Sequence, residues 1–160
     1  MMRARRSGGF TLIEILVVVV IIGVIIALAS VQLMRSPGDI VREESEHLAL
    51  LLRAAREEAI LQGRVFAFGA GRESYRFLRL ERNGRLKVAG RDELFRPQRM
   101  PPGIVIEALQ IEGAGETPQD GVVFLPSGEL PAFRIVLKSG SARWSVVGAP
   151  DGTIRAQAAS

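Results

Sequence analysis

The fold of this chain is decided near its start by residues 8–31, GGFTLIEILVVVVIIGVIIALASV. Residues 10–31 contain only Thr11, Glu14 and Ser30 as polar interruptions. At a rise of about 1.5 Å per residue, a helix of this length measures about 33 Å and can cross a bilayer core of about 30 Å. The sequence therefore predicts a transmembrane helix over residues 10–31.

The charges before this run predict its orientation. Arg3, Arg5 and Arg6 precede the run, and most of the chain follows it. By the positive-inside rule, the N-terminus stays in the cytoplasm and the following domain lies on the other side of the membrane. A cleaved secretory signal is the alternative, because residues 27–29, Ala-Leu-Ala, offer a small-residue cleavage site. The length of the run and Glu14, which a simple signal peptide does not use, favour a retained helix.

Glu14 is an expensive residue for a membrane helix. A carboxylate within a spanning segment costs about 2.5–3.5 kcal/mol on insertion scales, and such groups usually have a partner. Near the start of the helix, a carboxylate also reaches headgroup water and gains from the positive end of the helix dipole. The insertion cost alone leaves open whether Glu14 pairs with another group.

The stretch Gly9-Phe10-Thr11-Leu12-Ile13-Glu14 and its long apolar helix resemble the class III signal of type IV pilins and type II secretion pseudopilins. The resemblance implies that a prepilin peptidase cuts between Gly9 and Phe10 and N-methylates Phe10. It implies that Glu14 serves subunit assembly by pairing with the terminal amine of an adjacent subunit, since two costly buried charges offset one another when brought together. It also implies a single-pass protein of the bacterial inner membrane with a periplasmic domain.

Composition limits what the rest of the chain does. The chain has 160 residues and no cysteine, so the exported part is one modest domain that folds without disulfides. Three of the 21 lysines and arginines lie in the predicted leader, and 17 aspartates and glutamates oppose the others. The mature chain is nearly balanced in charge, which argues against nucleic acid as a partner.

A helix breaker or kink is predicted at residues 35–39, where proline and glycine interrupt the helical pattern, so the chain begins with one long helix or with two coaxial segments. Apolar residues then recur at helical spacing, among them Leu48, Leu52 and Ala55, and Gly63 is expected to end the helix. The charged residues between them are interpreted as a solvated face.

From Arg64 onward, short β-prone runs alternate with turn signals such as Asn83-Gly84. Strands are predicted at residues 65–68, 75–80, 86–88, 104–112, 122–125, 132–138, 144–147 and 153–155, with irregular chain at 96–103. Helix first and strands afterwards predict an α+β protein, a long N-terminal helix packed on antiparallel sheet. The predicted divisions are the leader 1–9, the transmembrane and assembly helix 10–31, the amphipathic helix 32–63 and the periplasmic β-rich domain 64–160.

The order of these elements narrows the resemblance. Residues 53–64, 75–78, 100–103 and 124–129 are similar to the H-type minor pseudopilin of type II secretion. That family implies a structural subunit of a periplasmic pseudopilus, which helps to drive folded proteins across the outer membrane. The implied partners are prepilin peptidase, other major and minor pseudopilins in a hetero-oligomeric filament, and an inner-membrane assembly platform.

No catalytic, metal or cofactor site is predicted. His47 is the only histidine, so multi-histidine zinc sites are excluded. A helix-surface role is expected for His47, which leaves no histidine to act as the base of a serine–histidine triad. The aspartates occur singly along the sequence, at Asp39, Asp92, Asp120 and Asp151. A calcium-binding loop needs several closely spaced acidic residues, so none is predicted. The chain is therefore predicted not to be an enzyme.

The main alternative is a minor type IV pilin that primes pili or binds DNA during uptake. Arg134, Lys138, Arg143 and Arg155 would form a basic surface if their strands were neighbours, with Trp144 stacking on a base. The favoured interpretation is that the four basic residues point outward from their strands and that Trp144 packs in the core. A more distant alternative is a membrane-anchored domain that never polymerises.

Overall fold

The computed structural model describes residues 12–32, 36–89, 93–113 and 121–159. The chain divides into two compact units, residues 1–35 and residues 36–160. The first contains the helix α1 (Leu12–Gln32), and the second contains α2 (Pro37–Gln62) and a short 3₁₀ turn (Glu93–Phe95). The described strands of the second unit are β1 (Phe66–Ala70), β2 (Ser74–Leu80), β3 (Leu86–Val88), β4 (Gln98–Arg99), β5 (Ile104–Ile111), β6 (Val122–Phe124), β7 (Phe133–Ser139), β8 (Ala142–Gly148) and β9 (Ile154–Ala158).

Helix α1 follows the apolar run of the sequence. The side chains of residues 12–26 are all exposed. In the part of the chain that the structure describes, no helix meets the length and apolarity needed to cross a membrane. The predicted span starts at Phe10, which lies outside that part.

Helix α2 has sequence-encoded ends. The Ser36 hydroxyl accepts a hydrogen bond from the Asp39 backbone N–H at 3.1 Å. Pro37 occupies the first turn of the helix, where a backbone N–H has no intrahelical partner to lose. Gly63 ends the helix in the left-handed conformation with φ 61°, which confirms the predicted stop. The buried stripe of α2 packs on both sheets and consists of Val41, Ser45, Leu48, Ala49, Leu51, Leu52, Ala55 and Ala59.

The strands form two antiparallel sheets, which confirms the predicted α+β class. The first sheet has the order β3-β2-β1-β6, and β4 pairs with β2. The second sheet has the order β5-β7-β8-β9 and carries an irregularity in β5 between Ile106 and Ala108. Each sheet turns one face to α2, and the core of the second unit lies between them and the helix.

The prediction that residues 96–103 are irregular is wrong for Gln98 and Arg99, which form β4. Gln98 lies opposite Tyr75 in the sheet, and the Tyr75 hydroxyl donates to its side-chain carbonyl at 3.0 Å. A two-residue strand has no periodicity of its own, so only this long-range pairing creates it.

Aromatic side chains fill the core beside the first sheet. Phe68 and Phe77 are fully buried, with ring centroids 5.4 Å apart. The rings of Phe66, Tyr75 and Phe95 extend the cluster at centroid distances of 5.2–6.2 Å. Tilted and edge-to-face pairs of this kind add stability beyond the apolar area that they bury.

Candidate functional site

The predicted assembly residue lies at the start of an apolar helix. Glu14 occupies the first turn of α1 with an exposed side chain, and it is the only ionisable residue between Leu12 and Gln32. Its neighbours Ile13 and Ile15 are 68% and 52% exposed. Glu14 therefore lies at the positive end of the helix dipole, within a wholly aliphatic surface. The predicted cleavage site, Gly9 and Phe10, lies outside the described residues.

Apart from Glu14, the described surface of α1 is apolar on every side. Large aliphatic side chains from Leu12 to Ile26 are each about half exposed or more. A helix that is apolar all round requires lipid or other protein around it. In such surroundings a lone carboxylate is a strong candidate for pairing with a positive group.

The four candidate basic residues lie on neighbouring strands. Arg134 and Lys138 belong to β7, Arg143 belongs to β8 and Arg155 belongs to β9. Lys138 is opposite Arg143, and Val147 is opposite both Arg134 and Arg155. All four therefore lie on the outer face of the second sheet, as the sequence interpretation expected.

An unpredicted carboxylate pairs with two of these four residues. Glu107 lies at the irregularity of β5, where its side chain meets Lys138 and Arg143. Arg143 Nε donates to Glu107 Oε2 at 2.7 Å and Arg143 Nη2 donates to Oε1 at 3.1 Å, while Lys138 Nζ lies 3.3 Å from Oε1. The hydrogen bond from Arg143, followed by that from Lys138, lowers the pKa of Glu107 to about 2.

Trp144 does not accompany the basic residues. Its register partners are Leu137 and Ala158, and its half-buried ring packs against the core. The prediction that Trp144 packs in the core is therefore confirmed. A base stacked on the outer face of the second sheet would not reach this ring.

The Glu107 cluster has a testable pH dependence. The pKa of Glu107 is lowered from 4.5 to about 2, so the unfolded chain binds the proton more readily than the folded chain. The stabilisation is therefore fully present above about pH 4.5 and is lost as the pH falls towards 2. We expect Glu107→Gln to lower the free energy of unfolding at pH 7 and to match the parent near pH 2, in urea titrations at low salt.

Glu112→Gln is the matched control. Glu112 directly follows β5, its side chain is exposed, and no ion pair is described for it. A pH-independent difference between the parent and the Glu107 variant would contradict the assignment. High salt should reduce the difference, because the cluster is partly exposed to solvent.

Two arginines of α2 correct the interpretation of its charges as a solvated face. Arg53 Nε donates to the Ile154 carbonyl at 2.7 Å, and Arg56 Nε donates to the Gly128 carbonyl at 2.8 Å. An added Cβ at Gly152 would lie 2.4 Å from an Arg56 nitrogen, so this guanidinium also contacts the turn between β8 and β9. Arg56 thus ties α2 to turns of both sheets, a role that helical spacing does not reveal.

His47 has the surface position that the sequence predicted. Its Nδ1 lies 3.8 Å from Glu44 Oε1, and burial raises the pKa of Glu44. Within the described ranges, no three His, Cys, Asp or Glu side chains come close enough together to hold a metal ion. A groove of about 550 Å³ runs between Arg72 on the β1–β2 connection and the edge strand β5.

Comparisons with known families agree with the fold. A model of the family "Type II transport protein GspH" matches residues 44–152. A model of the prokaryotic N-terminal methylation motif matches residues 4–30.

Curated relatives carry the same name in two organisms. The type II secretion system protein H of Pseudomonas aeruginosa is 33% identical over 144 residues, covering 83% of this chain and 84% of that protein. The protein of the same name from Aeromonas hydrophila is 24% identical over 156 residues, covering 85% and 83%.

Solved structures share the fold. The crystal structure of the minor pseudopilin EpsH from the type II secretion system of Vibrio cholerae has a TM-score of 0.66 at 21% identity, covering 77% of this chain and 96% of that one. The solution structure of Escherichia coli GspH has a TM-score of 0.60 at 16% identity, covering 76% and 89%. The family match and the curated relatives favour secretion over the type IV pilus alternative. The chain therefore belongs to the GspH family of type II transport proteins and is an H-type minor pseudopilin.

Proposed function

We propose that the chain is made as a precursor, cut between Gly9 and Phe10, N-methylated on Phe10, and assembled through Glu14 into a periplasmic pseudopilus. The observation that carries this proposal is the match of residues 4–30 to the N-terminal methylation motif. The pseudopilus helps to drive folded proteins across the outer membrane. In this role the chain is a structural subunit without catalysis of its own.

The membrane location follows from the same residues. Residues 10–31 anchor the chain in the inner membrane, with the arginines of the leader in the cytoplasm and the domain from residue 32 onward in the periplasm. The aliphatic surface described for α1 and the positive charges before it support this arrangement. The partners are prepilin peptidase, other major and minor pseudopilins, and the inner-membrane assembly platform.

Glu14 gives assembly a specific register. An apolar helix exchanges lipid for neighbouring helices with little preference for position, because both surroundings are apolar. A carboxylate and a terminal amine that pair in this environment favour the one position in which both charges are compensated. Cleavage before Phe10 creates that amine, so processing and assembly depend on each other in this proposal.

The test is the intact mass and N-terminal sequence of the membrane-extracted protein, from hosts with and without prepilin peptidase. We expect a chain that starts at Phe10 and carries one added methyl group only where the peptidase is present. A chain that starts near Met1 in both hosts, or one cut after Ala29, would overturn the proposal.

Two glycine variants sharpen this experiment. Gly9→Leu should leave the precursor uncut, because the bulky side chain falls at the cleaved bond. Gly8→Leu is the matched control, since it changes the adjacent glycine and should still be cut after Gly9. Efficient processing of the Gly9 variant would contradict the assigned cleavage site.

A further inference from the structure

The outer face of the first sheet is unusually apolar. Directly opposite residues on antiparallel strands point to the same face. The register places Val88 opposite Leu78, Leu78 opposite Ala67, and Ala67 opposite Val123, so one apolar row crosses β3, β2, β1 and β6. This row faces away from the core residues Phe68 and Phe77.

A second apolar row runs beside the first. Leu86 lies opposite Leu80, and the Leu80 amide donates to the Val65 carbonyl at 2.9 Å. Continuing the β1–β6 register from Phe66 and Phe124 places Leu125 next to Val65. We call the surface formed by Leu78, Leu80, Leu86, Val88, Val123 and Leu125 the outer apolar face.

The second sheet shows what an ordinary outer face looks like in this protein. Its outward positions include the polar residues Gln110, Arg134, Lys138, Arg143 and Arg155, together with the half-buried Val136 and Val147. An antiparallel sheet with one face on the core normally alternates apolar inward and polar outward residues. The first sheet departs from this alternation, because outward aliphatic residues adjoin one another across four strands.

Four of the six side chains of the outer apolar face are exposed in the isolated chain, and Leu78 and Leu80 are half-buried. Leu86 is 56% exposed, Val88 is 43% exposed, and Val123 and Leu125 are each 39% exposed. Contiguous exposed aliphatic side chains of this kind mark interaction surfaces, whereas single ones are common on any protein.

Positive charge borders this face. Arg76 lies on the same side of β2, and Arg82 and Arg85 lie in the β2–β3 turn, all with exposed side chains. The turn carboxylate of Glu81 is engaged by Arg79 and Lys87 at 3.8 and 3.9 Å. Among the described residues no carboxylate pairs with the three bordering arginines, so the face matches a partner that combines aliphatic side chains with carboxylates.

The same chain carries a surface of that complementary kind. On α2, exposed residues spaced by three and four form an outward stripe of Glu43, Glu46, Leu50, Arg53, Glu57 and Leu61. Arg42 lies 3.7 Å from Glu46 and Arg53 donates to the Ile154 carbonyl, so three carboxylates face two guanidinium groups and a small acidic excess is left. Leu50 and Leu61 are 57% and 80% exposed. This chain therefore presents both an acidic helix face with exposed leucines and an apolar sheet face bordered by arginines.

We propose that the outer apolar face is a docking surface for an adjacent pseudopilin, which contacts it through the outward acidic face of its α2 helix. The contact is heterologous, since a sheet face of one subunit meets a helix face of the next. Interfaces of this type extend into filaments when the rotation between subunits does not close a ring. The inference rests on the proposed function, because it requires a pseudopilus in which such neighbours meet.

The experiment places a photo-cross-linking amino acid at Val88 of the full-length chain, in bacteria with an active type II secretion system. We expect an ultraviolet-dependent adduct whose digested peptide maps to the α2 helix of a pilin-class subunit. The matched control is the same amino acid at Arg134, which is exposed on the outer face of the second sheet and should give no such adduct.

Charge variants test the chemistry of the contact. Arg82→Glu combined with Arg85→Glu places like charges against the acidic helix and should reduce the adduct about tenfold or more. Arg82→Lys combined with Arg85→Lys keeps the charge and should keep most of the adduct. Both pairs lie in an exposed turn, and equal thermal unfolding temperatures would show that the fold is intact.

The inference would be overturned if the processed chain supported secretion but gave no adduct. An adduct with a protein outside the pilin class, or an adduct with a β-strand of a pilin-class subunit instead of its α2 helix, would overturn it as well. Each differs from failure of the proposed function, in which the chain would show no peptidase-dependent processing.

Discussion

Replacing Glu14 with leucine should leave cleavage after Gly9 intact and reduce incorporation into the pseudopilus about tenfold or more. The leucine removes the only ionisable group of the described α1 helix, so in the proposed assembly the terminal amine of the adjacent subunit loses its partner. An unpaired charge in apolar surroundings costs several kcal/mol, and each 1.4 kcal/mol corresponds to a factor of ten in an equilibrium. The measurement is the amount of processed chain in sheared pseudopilus fractions relative to the membrane pool.

Glu14→Asp is the control for this result. Aspartate keeps the carboxylate and shortens the side chain by one methylene, so it should restore part of the incorporation. If Glu14→Leu assembled normally, the pairing of this residue with an adjacent amine would be wrong. If Glu14→Leu lost cleavage as well, the carboxylate would act in recognition by the peptidase rather than only in assembly.

Gly148→Ala should lower the free energy of unfolding by about 2–3 kcal/mol, the upper part of the usual range for overpacking a core. A Cβ at this position would lie 2.0 Å from Phe133 Cε1, and Phe133 is only 3% exposed. The two residues face each other on β7 and β8, so the ring must leave its place for the methyl group to fit. Urea unfolding followed by tryptophan fluorescence measures the change.

Gly69→Ala is the matched control, since it adds the same methyl group to another strand. There the new atom would meet only Arg76 side-chain atoms at 3.8 Å and beyond, an ordinary contact, so stability should change little. Combining Gly148→Ala with Phe133→Leu should cost less than the two single changes added together, because the smaller side chain makes room. Wild-type stability of Gly148→Ala alone would contradict the packing described.

The elements of the fold could be predicted because their signals are local. The stop of α2 at Gly63 needs only a residue that tolerates positive φ, and the Asn83-Gly84 hairpin needs only two residues that favour a tight turn. The alternation of Tyr75 and Phe77 with outward residues already marks the core side of β2. Each of these signals lies within a few neighbouring residues, so the sequence contains it completely.

The contacts of charged residues could not be predicted in the same way. Arg53 and Arg56 have the spacing of a solvated helix surface, yet they bind carbonyls 101 and 72 residues away in the sequence. Glu107 gives no sign in the sequence that it pairs with Lys138 and Arg143, because the pairing depends on the register of β5 against β7 and β7 against β8. Side-chain partners across strands depend on register, and one residue of slip would reverse every face.

By itself, the sequence determined the membrane-type apolar helix, its leading charges, the pilin-class signal around Gly9, and the order of helix and strands. These properties follow from composition and short-range spacing, which do not depend on how distant segments meet. Only the tertiary structure decided that the strands form two sheets, that Arg56 joins α2 to both, and that an aliphatic face stays uncovered on the first sheet. The reason is that pairing and coverage are relations between distant segments, and the free energy that selects them appears only when the whole domain packs.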